Sequence, residues 1–403
     1  MRVILAHNSL IPIGGAEVFY LETGRVLEEH GHDVAYFSPL DKGIESPWSE
    51  YFPAAFNHEN ANSLSGLLSL KDLIYSSDAK EKFKKLIKEF KPDIVHCFSI
   101  YVRLTPSILD AAREMNVPIV MSCNDYKHIC PNYKLFQGGN ICTKCKGGKF
   151  YNAVKYKCAK NSFKYSFASA LEAYVHDFID VYKKNVDVFL FASEFMATMT
   201  KDFWGDKNFS WKILSNPFDS TKYSVSESEG NYVLYFGRLI DEKGVDILIK
   251  SFEKLPHVNL KIVGTGPDED NLKQLAAKMP HIEFLGPKWD DELEPLIDNA
   301  RFVVVPSVWH ENFPYVILQS FAKGKAVIGT DRGGIPELIQ DGTYGLIYEA
   351  DNYSQLSDKV SLLWRNKELS RRMGIAAKKR VDKQFNDQQF YENVHRIYSN
   401  VIN

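Results

Sequence analysis

Three polar residues between an apolar run and a helical pattern carry the clearest chemistry in this sequence. His310, Glu311 and Asn312 follow the β-branched run at 303–305 and precede an amphipathic stretch that begins at Pro314. The pattern predicts a strand, a loop and a helix, as in a βαβ unit. The start of such a helix presents free amides and the positive end of its dipole. The spacing therefore predicts an anion site, and a phosphate site above all.

A basic pair follows another predicted strand. In GRLIDEKG at 237–244, Gly237 allows a tight exit from the sheet, and Arg238 and Lys243 lie next to a predicted helix start. Arginine can bind a diphosphate with a bidentate fork, and lysine binds it as a point charge. Taken alone, such a pair is more often a surface feature. Its position at the carboxyl end of a strand favours a diphosphate site.

Two glycine pairs stand at similar strand-to-helix turns. Gly264 and Gly266 lie in GTGPDEDNL, where Asp268 is expected to be an N-cap, and Gly14 and Gly15 lie in PIGGAE. A backbone without side chains lets a nucleotide approach closely. A lone glycine pair is a weak signal, and these gain weight only beside the basic pair. We therefore expect all four glycines to contribute to donor binding.

Alternating strands and helices must hold these groups in place. Ten strands are predicted: RVILAH, DVAYFS, IVHCF, PIVMSC, VDVFLFAS, NYVLYFG, NLKIVG, IEFLG, RFVVVPS and AVIGT. Strands separated by helices at this spacing predict an α/β fold with parallel sheets and helices on both faces. We expect two Rossmann-like, doubly wound domains that face each other across a cleft and bind ligands at the carboxyl ends of their strands.

A segment without any periodic pattern of apolar residues divides the chain. Residues 218–230, FDSTKYSVSESEG, are rich in Ser and Glu and are predicted to be a linker between a first domain at 1–217 and a second at 231–385. Three helical patterns end the chain: 354–364, 367–384 and 386–401. Residues 386–403 are expected to form a helix that crosses back to the first domain.

Composition narrows the function classes. The chain has 403 residues, 45% of them hydrophobic, which suits a multidomain enzyme, and its net charge of −2 does not favour a nucleic-acid partner. The apolar run after Arg2 is too short for a signal peptide, and no run reaches the roughly 18 apolar residues of a membrane span. We therefore expect a cytoplasmic protein.

In order and spacing, these motifs resemble the retaining nucleotide-sugar glycosyltransferases of family four (glycosyl transferases group 1), which have the GT-B architecture. The resemblance covers nearly the whole chain. It rests on PIGGAE, PDIVHCF, PIVMSCNDY, ILSNPFD, FGRLIDEKG, KIVGTGP, FLG and PSVWHENFPYVILQSFAKGKAVIGTDRGGIPELI. It implies an acceptor-side first domain and a nucleotide-sugar-binding second domain.

The resemblance also implies roles for single residues. Arg238 and Lys243 look like the pair that offsets charge on the leaving diphosphate. Glu311 looks like the first glutamate of the family's motif of two glutamates separated by seven residues, which binds hydroxyls of the donor sugar. Backbone amides at Asn312, Phe313 and the start of the next helix would hold the phosphates.

The sequence departs from the family pattern at two places. The second glutamate of the motif, which contacts the ribose in the family, is here Gln319, and an amide should accept a weaker hydrogen bond than a carboxylate. Where many relatives have His-Asp, this chain has Asn124 and Asp125. Both are expected near the donor sugar, where Asn124 can bind but cannot transfer protons. His128 and His96 are further candidates, although a histidine at a strand end is more often structural.

The reaction that the resemblance implies needs no metal ion and no strong base. A glycosyl donor reacts through an oxocarbenium-like transition state, so the main task is to stabilise charge on the leaving diphosphate, which itself would take the acceptor's proton. The expected acceptor is a glycan or a lipid-linked sugar in cell-surface polysaccharide biosynthesis. Two alternatives stay open: a sugar-nucleotide epimerase of the same fold and a non-catalytic sugar-binding protein.

An insert at 127–164 interrupts the first domain. It contains Cys130, Cys142, Cys145 and Cys158, of which the middle pair forms a CxxC. Four thiolates can bind a structural zinc ion that organises a loop with little core of its own. Reduced free thiols are the alternative, and disulfides are a weaker one in a cytoplasmic chain.

The same insert has nine lysines, no acidic residue and several interleaved aromatic residues. A run of charge is usually a solvated face. The lack of acids and the aromatic anchors favour contact with an anionic bilayer, where each basic residue contributes roughly 1 kcal/mol. We therefore expect a peripheral association with the inner face of the cell membrane or with an anionic, lipid-linked acceptor.

Overall fold

The computed structural model describes residues 1–12, 14–40, 46–54, 71–205, 209–225, 228 and 230–403. These residues form two compact units. Unit 1 comprises Met1–Gln137, Cys142–Pro217 and Phe390–Asn403, and unit 2 comprises Gly138–Ile141 and Phe218–Gln389. Each unit is built on a six-stranded parallel sheet with helices, so the predicted α/β class is confirmed.

The strands up to residue 217 form one sheet and one hairpin. They are β1 (Arg2–Ala6), β2 (Asp33–Phe37), β3 (Ile94–Cys97), β4 (Ile119–Cys123), β5 (Phe136–Gln137), β6 (Asn140–Ile141), β7 (Val188–Phe191) and β8 (Trp211–Ile213). The sheet order is β2-β1-β3-β4-β7-β8, all parallel, and β5 pairs only with β6. Strand β8 was not predicted because two partly exposed residues, one on either side of the exposed Lys212, give no apolar run.

Helices of this part of the chain cover the sheet and build the insert. They are α1 (Gly15–Glu29), α2 (Ser77–Phe90), α3 (Ser107–Glu114), α4 (Tyr151–Lys155), α5 (Phe163–Phe178) and α6 (Glu194–Trp204). Helix α1 ends at Glu29, just before Gly31, whose φ of 78° suits glycine. The insert between β4 and α5 holds only the two-residue strands β5 and β6 and the five-residue α4, so its shape depends on turns and side chains.

Unit 2 has its own sheet. Its strands are β9 (Val233–Phe236), β10 (Leu260–Val263), β11 (Ile282–Phe284), β12 (Phe302–Val305), β13 (Val327–Thr330) and β14 (Gly345–Tyr348), in the order β11-β10-β9-β12-β13-β14. The first five were predicted, and β14 was missed. The strand order reverses between β9 and β12, which is where open parallel sheets bind ligands.

The helices from residue 218 onward follow the predicted pattern closely. They are α7 (Val245–Phe252), α8 (Glu269–Leu275), α9 (Asp290–Asp298), α10 (Tyr315–Ala322), α11 (Ile335–Ile339), α12 (Tyr353–Arg365), α13 (Lys367–Gln384) and α14 (Asp387–Ile402). The three predicted C-terminal helices are therefore confirmed. In unit 1, α14 packs Phe390 against Phe19 of α1 and its Tyr398 hydroxyl against His96 of β3. In the part of the chain described here, no helix has the length and the apolar run needed to span a bilayer.

The described part of the predicted linker is packed within unit 2. Phe218 stacks on Tyr223, with ring centroids 5.3 Å apart. The Lys378 ammonium of α13 donates hydrogen bonds to the carbonyl groups of Ser220 and Tyr223 at 3.4 and 3.0 Å. Residues 226, 227 and 229 lie outside the described residues. The segment at 218–223 is therefore bound to unit 2 through α13.

Candidate active site

The reversal of strand order in unit 2 brings two predicted motifs together. Strands β9 and β12 are neighbours, with Phe302 opposite Val233, so the loops that leave their carboxyl ends are adjacent. The backbone N–H of Val308 donates a 3.0 Å hydrogen bond to the Glu242 carbonyl, which joins the two loops. GRLIDEKG and the stretch after β12 therefore form one site in the fold, although about 65 residues separate them in the sequence.

A buried carboxylate lies at the centre of this site. Glu311 Oε1 accepts hydrogen bonds from Lys243 Nζ at 2.5 Å and from Ser307 Oγ at 2.7 Å. The Glu311 side chain is 8% exposed and that of Lys243 is 20% exposed. Lys243 Nζ also lies 5.6 Å from the centroid of the Trp309 ring. The sequence predicted Glu311 and Lys243 but gave no reason to select Ser307, because a single serine after a strand carries no distinguishing pattern.

The environment of Glu311 keeps it ionised. Burial raises the pKa of the carboxyl group, but the charge of Lys243 and the hydrogen bonds from neighbouring side chains outweigh burial, so the pKa lies below its ordinary value. An ionised carboxylate accepts hydrogen bonds and cannot donate a proton. Glu311 is therefore suited to bind hydroxyl groups rather than to act as an acid.

Arg238 stands beside this pair. Its side chain is exposed, while its carbonyl accepts a 2.8 Å hydrogen bond from the buried Tyr235 hydroxyl. Burial raises the pKa of Tyr235 most, the charge of Glu311 raises it further, and Arg238 lowers it, so both charges lie near this hydroxyl. Tyr235, which the sequence did not single out, fixes the backbone from which the guanidinium extends into solvent.

The glycines of unit 2 have a packing role that the sequence did not reveal. A Cβ on Gly264, at φ 141°, would lie 1.9 Å from the Gly237 carbonyl oxygen, and one on Gly266 would lie 2.1 Å from the Leu239 oxygen. Close contact between two strand-end loops therefore already requires these glycines. Asp268 occupies the expected N-cap position of α8, but its side chain makes no capping hydrogen bond.

Other predicted donor-binding residues lie on or before α10. Phe313 is buried against Phe385, with ring centroids 5.7 Å apart, and Asn312 is partly exposed. Gln319 is partly exposed on the helix, and its side chain hydrogen-bonds the Tyr223 hydroxyl. That contact joins Gln319, the residue predicted to bind the ribose, to the segment at 218–223.

The predicted donor-binding residues of unit 1 follow β1 and β4. Gly14 and Gly15 are exposed at the start of α1. Asn124 and Asp125 directly follow β4 and are partly exposed. Asp125 Oδ1 accepts a 2.8 Å hydrogen bond from the Lys127 amide. Burial raises the pKa of Asp125 to about 6, against the opposing effect of Lys127, so this carboxyl group titrates near neutral pH.

Both alternative histidines are structural. His96 is fully buried, with its ring nitrogens 2.7 Å from the Tyr398 hydroxyl and 2.8 Å from Ser122 Oγ. His128 Nε2 lies 2.8 Å from Thr200 Oγ1, and its ring packs edge-on to Trp204. Burial lowers the pKa of each imidazole to about 3. Neither residue is available to exchange protons with a substrate near neutral pH.

The four cysteines of the insert lie together in unit 1. Cys130, Cys142, Cys145 and Cys158 line one small cavity, and all six pairs among their thiols interact electrostatically. None of them is in a disulfide. Within the described residues, no three His, Cys, Asp or Glu side chains already have the spacing of a metal centre.

Sequence comparison identifies the family. The profile of Glycosyltransferase Family 4 matches residues 13–222, which is more than half of the chain. The chain belongs to that family. The profile of the glycosyl transferases group 1 matches residues 219–380 and so covers the strands and loops around Lys243 and Glu311.

Individual relatives agree with this assignment. An uncharacterized glycosyltransferase of Methanocaldococcus jannaschii is 33% identical over 175 residues, which cover 43% of this chain and 49% of the relative. The match thus spans about half the length of that relative. The N-acetyl-alpha-D-glucosaminyl L-malate synthase of Bacillus anthracis is 23% identical over 97% of this chain and 95% of its own.

A solved structure confirms the fold of this family-four glycosyltransferase. The Anabaena protein HepE in complex with UDP and glucose superposes with a TM-score of 0.70 at 17% identity, over 99% of this chain and 100% of that one. The predicted GT-B architecture is therefore confirmed. The individual donor-binding residues stay predictions.

Proposed function

We propose that this family-four enzyme transfers a sugar from a nucleotide diphosphate sugar, with retention of configuration and without a metal ion, to a glycan or lipid-linked acceptor of surface polysaccharide synthesis. The observation that carries the proposal is the buried contact between Lys243 and Glu311 where the strand order reverses, with Arg238 exposed beside it. This arrangement combines positive charge for a diphosphate with an acceptor for sugar hydroxyls.

Charge on the leaving group is the main demand of the reaction. As the glycosidic bond to the diphosphate breaks, negative charge grows on the phosphate oxygens. Arg238 and Lys243 supply two cations from one loop, and Lys243 is fixed by Glu311 rather than free to move in solvent. Such fixed charges stabilise a transition state without reorganisation, and they are the reason that this chemistry does not require a metal ion here.

Proton transfer in the proposed reaction does not involve a protein base. In unit 2, Glu311 stays ionised and bound by Lys243 and Ser307, which suits it to hold donor hydroxyl groups. The departing phosphate takes the proton of the attacking acceptor hydroxyl on the same face of the sugar. Retention of configuration follows from that geometry.

Gln319 makes nucleotide affinity the weakest part of this proposal. Burial raises the pKa of the Tyr223 hydroxyl and a hydrogen bond from the Gln319 amide partly offsets this, so the amide donates to Tyr223 and its oxygen can still accept from a ribose hydroxyl. A neutral amide gains less from a hydroxyl than a carboxylate does. We expect Gln319→Glu to bind nucleoside diphosphates more tightly than the wild type.

The test is a thermal-shift and turnover screen with nucleoside diphosphates and their sugars, starting with UDP because the Anabaena structure contains it. Ligand at 100 times its dissociation constant should stabilise the protein by roughly 2.7 kcal/mol. Turnover should need no added Mg²⁺ or Mn²⁺, and nuclear magnetic resonance of the product should show the anomeric configuration of the donor. Inversion, or turnover that depends on added Mg²⁺ or Mn²⁺, would refute those parts of the proposal.

An exposed aromatic surface supports an acceptor at a membrane. Eight aromatic side chains within 133–178 are exposed, whereas elsewhere in the described residues only Trp289 and Tyr353 are. The eight are Tyr133, Tyr151, Tyr156, Phe163, Tyr165, Phe167, Tyr174 and Phe178. Along α5, Phe163, Phe167, Tyr174 and Phe178 recur at helical spacing and so form one stripe. The exposure of Phe178 is 90%, which is costly in water.

The positive charge of this surface favours an anionic partner. Seven of the nine lysines in the insert are exposed, and one of them, Lys146, forms an ion pair with Asp202. On α5, Glu172 is buried against Lys127 at 2.6 Å, and Asp177 faces Lys183 at 3.8 Å. A basic surface with aromatic side chains fits an anionic bilayer.

Vesicle sedimentation tests the surface directly. Replacing Lys155, Lys157 and Lys160 with Ala should weaken binding to anionic vesicles about a hundredfold, since each lysine contributes roughly 1 kcal/mol. Phe178→Ser should weaken it as well without affecting folding, because the side chain is exposed. The matched control replaces three exposed lysines of unit 2, Lys254, Lys278 and Lys383. Equal binding of wild type to neutral and anionic vesicles would refute the membrane part.

A further inference from the structure

The folding of the insert gathers four cysteines that are far apart in sequence. Cys130 follows β4 by one turn, Cys142 follows the hairpin of β5 and β6, Cys145 precedes α4, and Cys158 follows it. Pro131, Asn132, Leu135 and Ala153 complete the cavity that the four thiols line. No other side chain type lines it, so the cavity contains only sulfur and small polar or apolar groups.

Backbone hydrogen bonds hold each cysteine in this arrangement. The Cys130 N–H donates to the Tyr126 carbonyl at 2.7 Å, and the Cys142 N–H donates to the Leu135 carbonyl at 2.8 Å. The Cys145 carbonyl accepts from Lys149 at 3.2 Å, and the Cys158 N–H donates to Ala153 at 3.0 Å. The turns themselves, rather than side-chain packing alone, direct the four sulfurs to one place.

The insert has little regular secondary structure. Its regular structure is limited to two strands of two residues and one helix of five. Tyr133, Leu135 and Lys157 have positive φ angles, which disfavour residues other than glycine. Ile129, Leu135, Phe150 and Ala153 pack into the core of unit 1. A bound ion would add a cross-link among the turns, which have little regular hydrogen bonding of their own.

We propose that Cys130, Cys142, Cys145 and Cys158 bind one structural zinc ion as thiolates. Four thiolates in a closed site are typical of structural zinc, with Zn–S distances of about 2.3 Å and sulfurs about 3.8 Å apart in a tetrahedron. Cys130 and Cys145 are buried, and Cys142 and Cys158 are partly exposed. Within the described residues these side chains do not already have the spacing of a metal centre, so the proposed binding requires them to rotate towards one another. The proposal does not rest on the sugar-transfer reaction.

The charge balance explains the composition around the cluster. Binding releases four thiol protons, including the one that Cys130 donates to Asn132 Oδ1 at 3.0 Å, and leaves a centre with a net charge of −2. Nine lysines and no acidic residue occur between 127 and 164, so the sequence around the cluster carries positive charge. The lysine-rich composition therefore suits the zinc centre as well as the bilayer.

Metal analysis of the full-length protein tests this site. Protein purified without chelator from zinc-supplemented cells should contain one zinc per chain, released when a mercurial reagent modifies four thiols. Cobalt substitution should give the visible absorption of a tetrahedral thiolate site. Cys142→Ala and Cys158→Ala should lose the metal, whereas Cys97→Ala, in β3 and outside the cluster, should retain it.

Three outcomes would overturn the proposal. One is zinc far below one per chain in folded wild-type protein with six alkylatable thiols, which indicates free cysteines. Another is a protein with only two alkylatable thiols before reduction, which indicates disulfides. The last is full zinc content in folded Cys142→Ala. Since the first two use wild-type protein, misfolding of a variant does not prevent a decision.

Discussion

Replacement of Lys243 by Met tests the contact at the centre of the site. Methionine keeps the apolar stem of the lysine and removes its ammonium group. The buried Glu311 carboxylate then keeps the hydrogen bond from Ser307 but loses the positive charge beside it. Breaking a buried ion pair from one side costs about 3–5 kcal/mol. Because Lys243 is 20% exposed, we expect the lower end, about 3 kcal/mol, or a fall of about 6–12 °C in the melting temperature of unit 2.

The effect should depend on pH with a defined sign. In the wild type the pKa of Glu311 is lowered, so its contribution to stability is present above the unfolded pKa of about 4.3 and is lost as the pH falls. Without Lys243, burial dominates and the pKa of Glu311 rises. The variant then loses stability as the pH rises from the unfolded pKa of Glu311 to its raised pKa in the folded variant. The gap between wild type and variant should therefore widen from pH 4 to pH 8.

Differential scanning calorimetry measures this gap, with the transition of unit 2 identified as the one that bound nucleotide raises. Lys250→Met is the matched control, because Lys250 forms an exposed pair with Asp246 at 2.9 Å and should change stability by less than about 0.5 kcal/mol. Glu311→Gln added to Lys243→Met should recover most of the lost stability but not activity. Equal melting temperatures of Lys243→Met and wild type at pH 8, or strict additivity in the double variant, would refute the reasoning.

Substitutions at three other residues test nucleotide binding or the stability of the fold. Arg238→Ala should leave stability within about 0.5 kcal/mol and weaken nucleoside diphosphate binding by about 1.5–3 kcal/mol, measured by calorimetry; an unchanged affinity would remove Arg238 from the site. Gly264→Ala should destabilise unit 2 by more than about 2 kcal/mol, whereas Gly286→Ala, at φ 69° with open space around it, should cost only about 1 kcal/mol; equal melting shifts would contradict the packing role. Asp125→Asn should remove a pH dependence of the unfolding free energy. Because the pKa of Asp125 is raised to about 6, the wild-type carboxyl group stabilises the fold fully only below its unfolded pKa of about 3.9. That contribution is lost as the pH rises through 6. Parallel stability profiles of the two proteins between pH 4 and pH 7 would disprove it.

Most of the sheet structure could be predicted from local pattern. The ten predicted strands are all present, because β-branched runs flanked by turn residues mark buried parallel strands. Besides the two-residue strands β5 and β6, the missed strands are Trp211–Ile213 and Gly345–Tyr348, which are short and belong to the six-stranded sheets. Their place at a sheet edge depends on a neighbouring strand rather than on their own sequence.

The contacts of Gly264, Gly266 and Gln319 could not be predicted from the local sequence. The sequence identified Gly264 and Gly266 as positions without side chains, but only the fold shows that carbonyl oxygens of the next loop fill the space beside them. The contact of Gln319 with Tyr223 likewise joins residues about a hundred positions apart. Long-range contacts of this kind have no signature in a single sequence.

The sequence by itself determined the family, the α/β class and the identity of Arg238, Lys243 and Glu311 as charged groups at strand ends, because residue type and spacing along one element are local properties. The tertiary structure alone decided how these groups meet. Reversal of strand order between β9 and β12 places Lys243 on Glu311, and the charge of Lys243 with the neighbouring hydrogen bonds outweighs burial and keeps the carboxylate ionised. Distances and solvent exclusion arise only when distant segments pack, so the ionisation of Glu311 belongs to the fold.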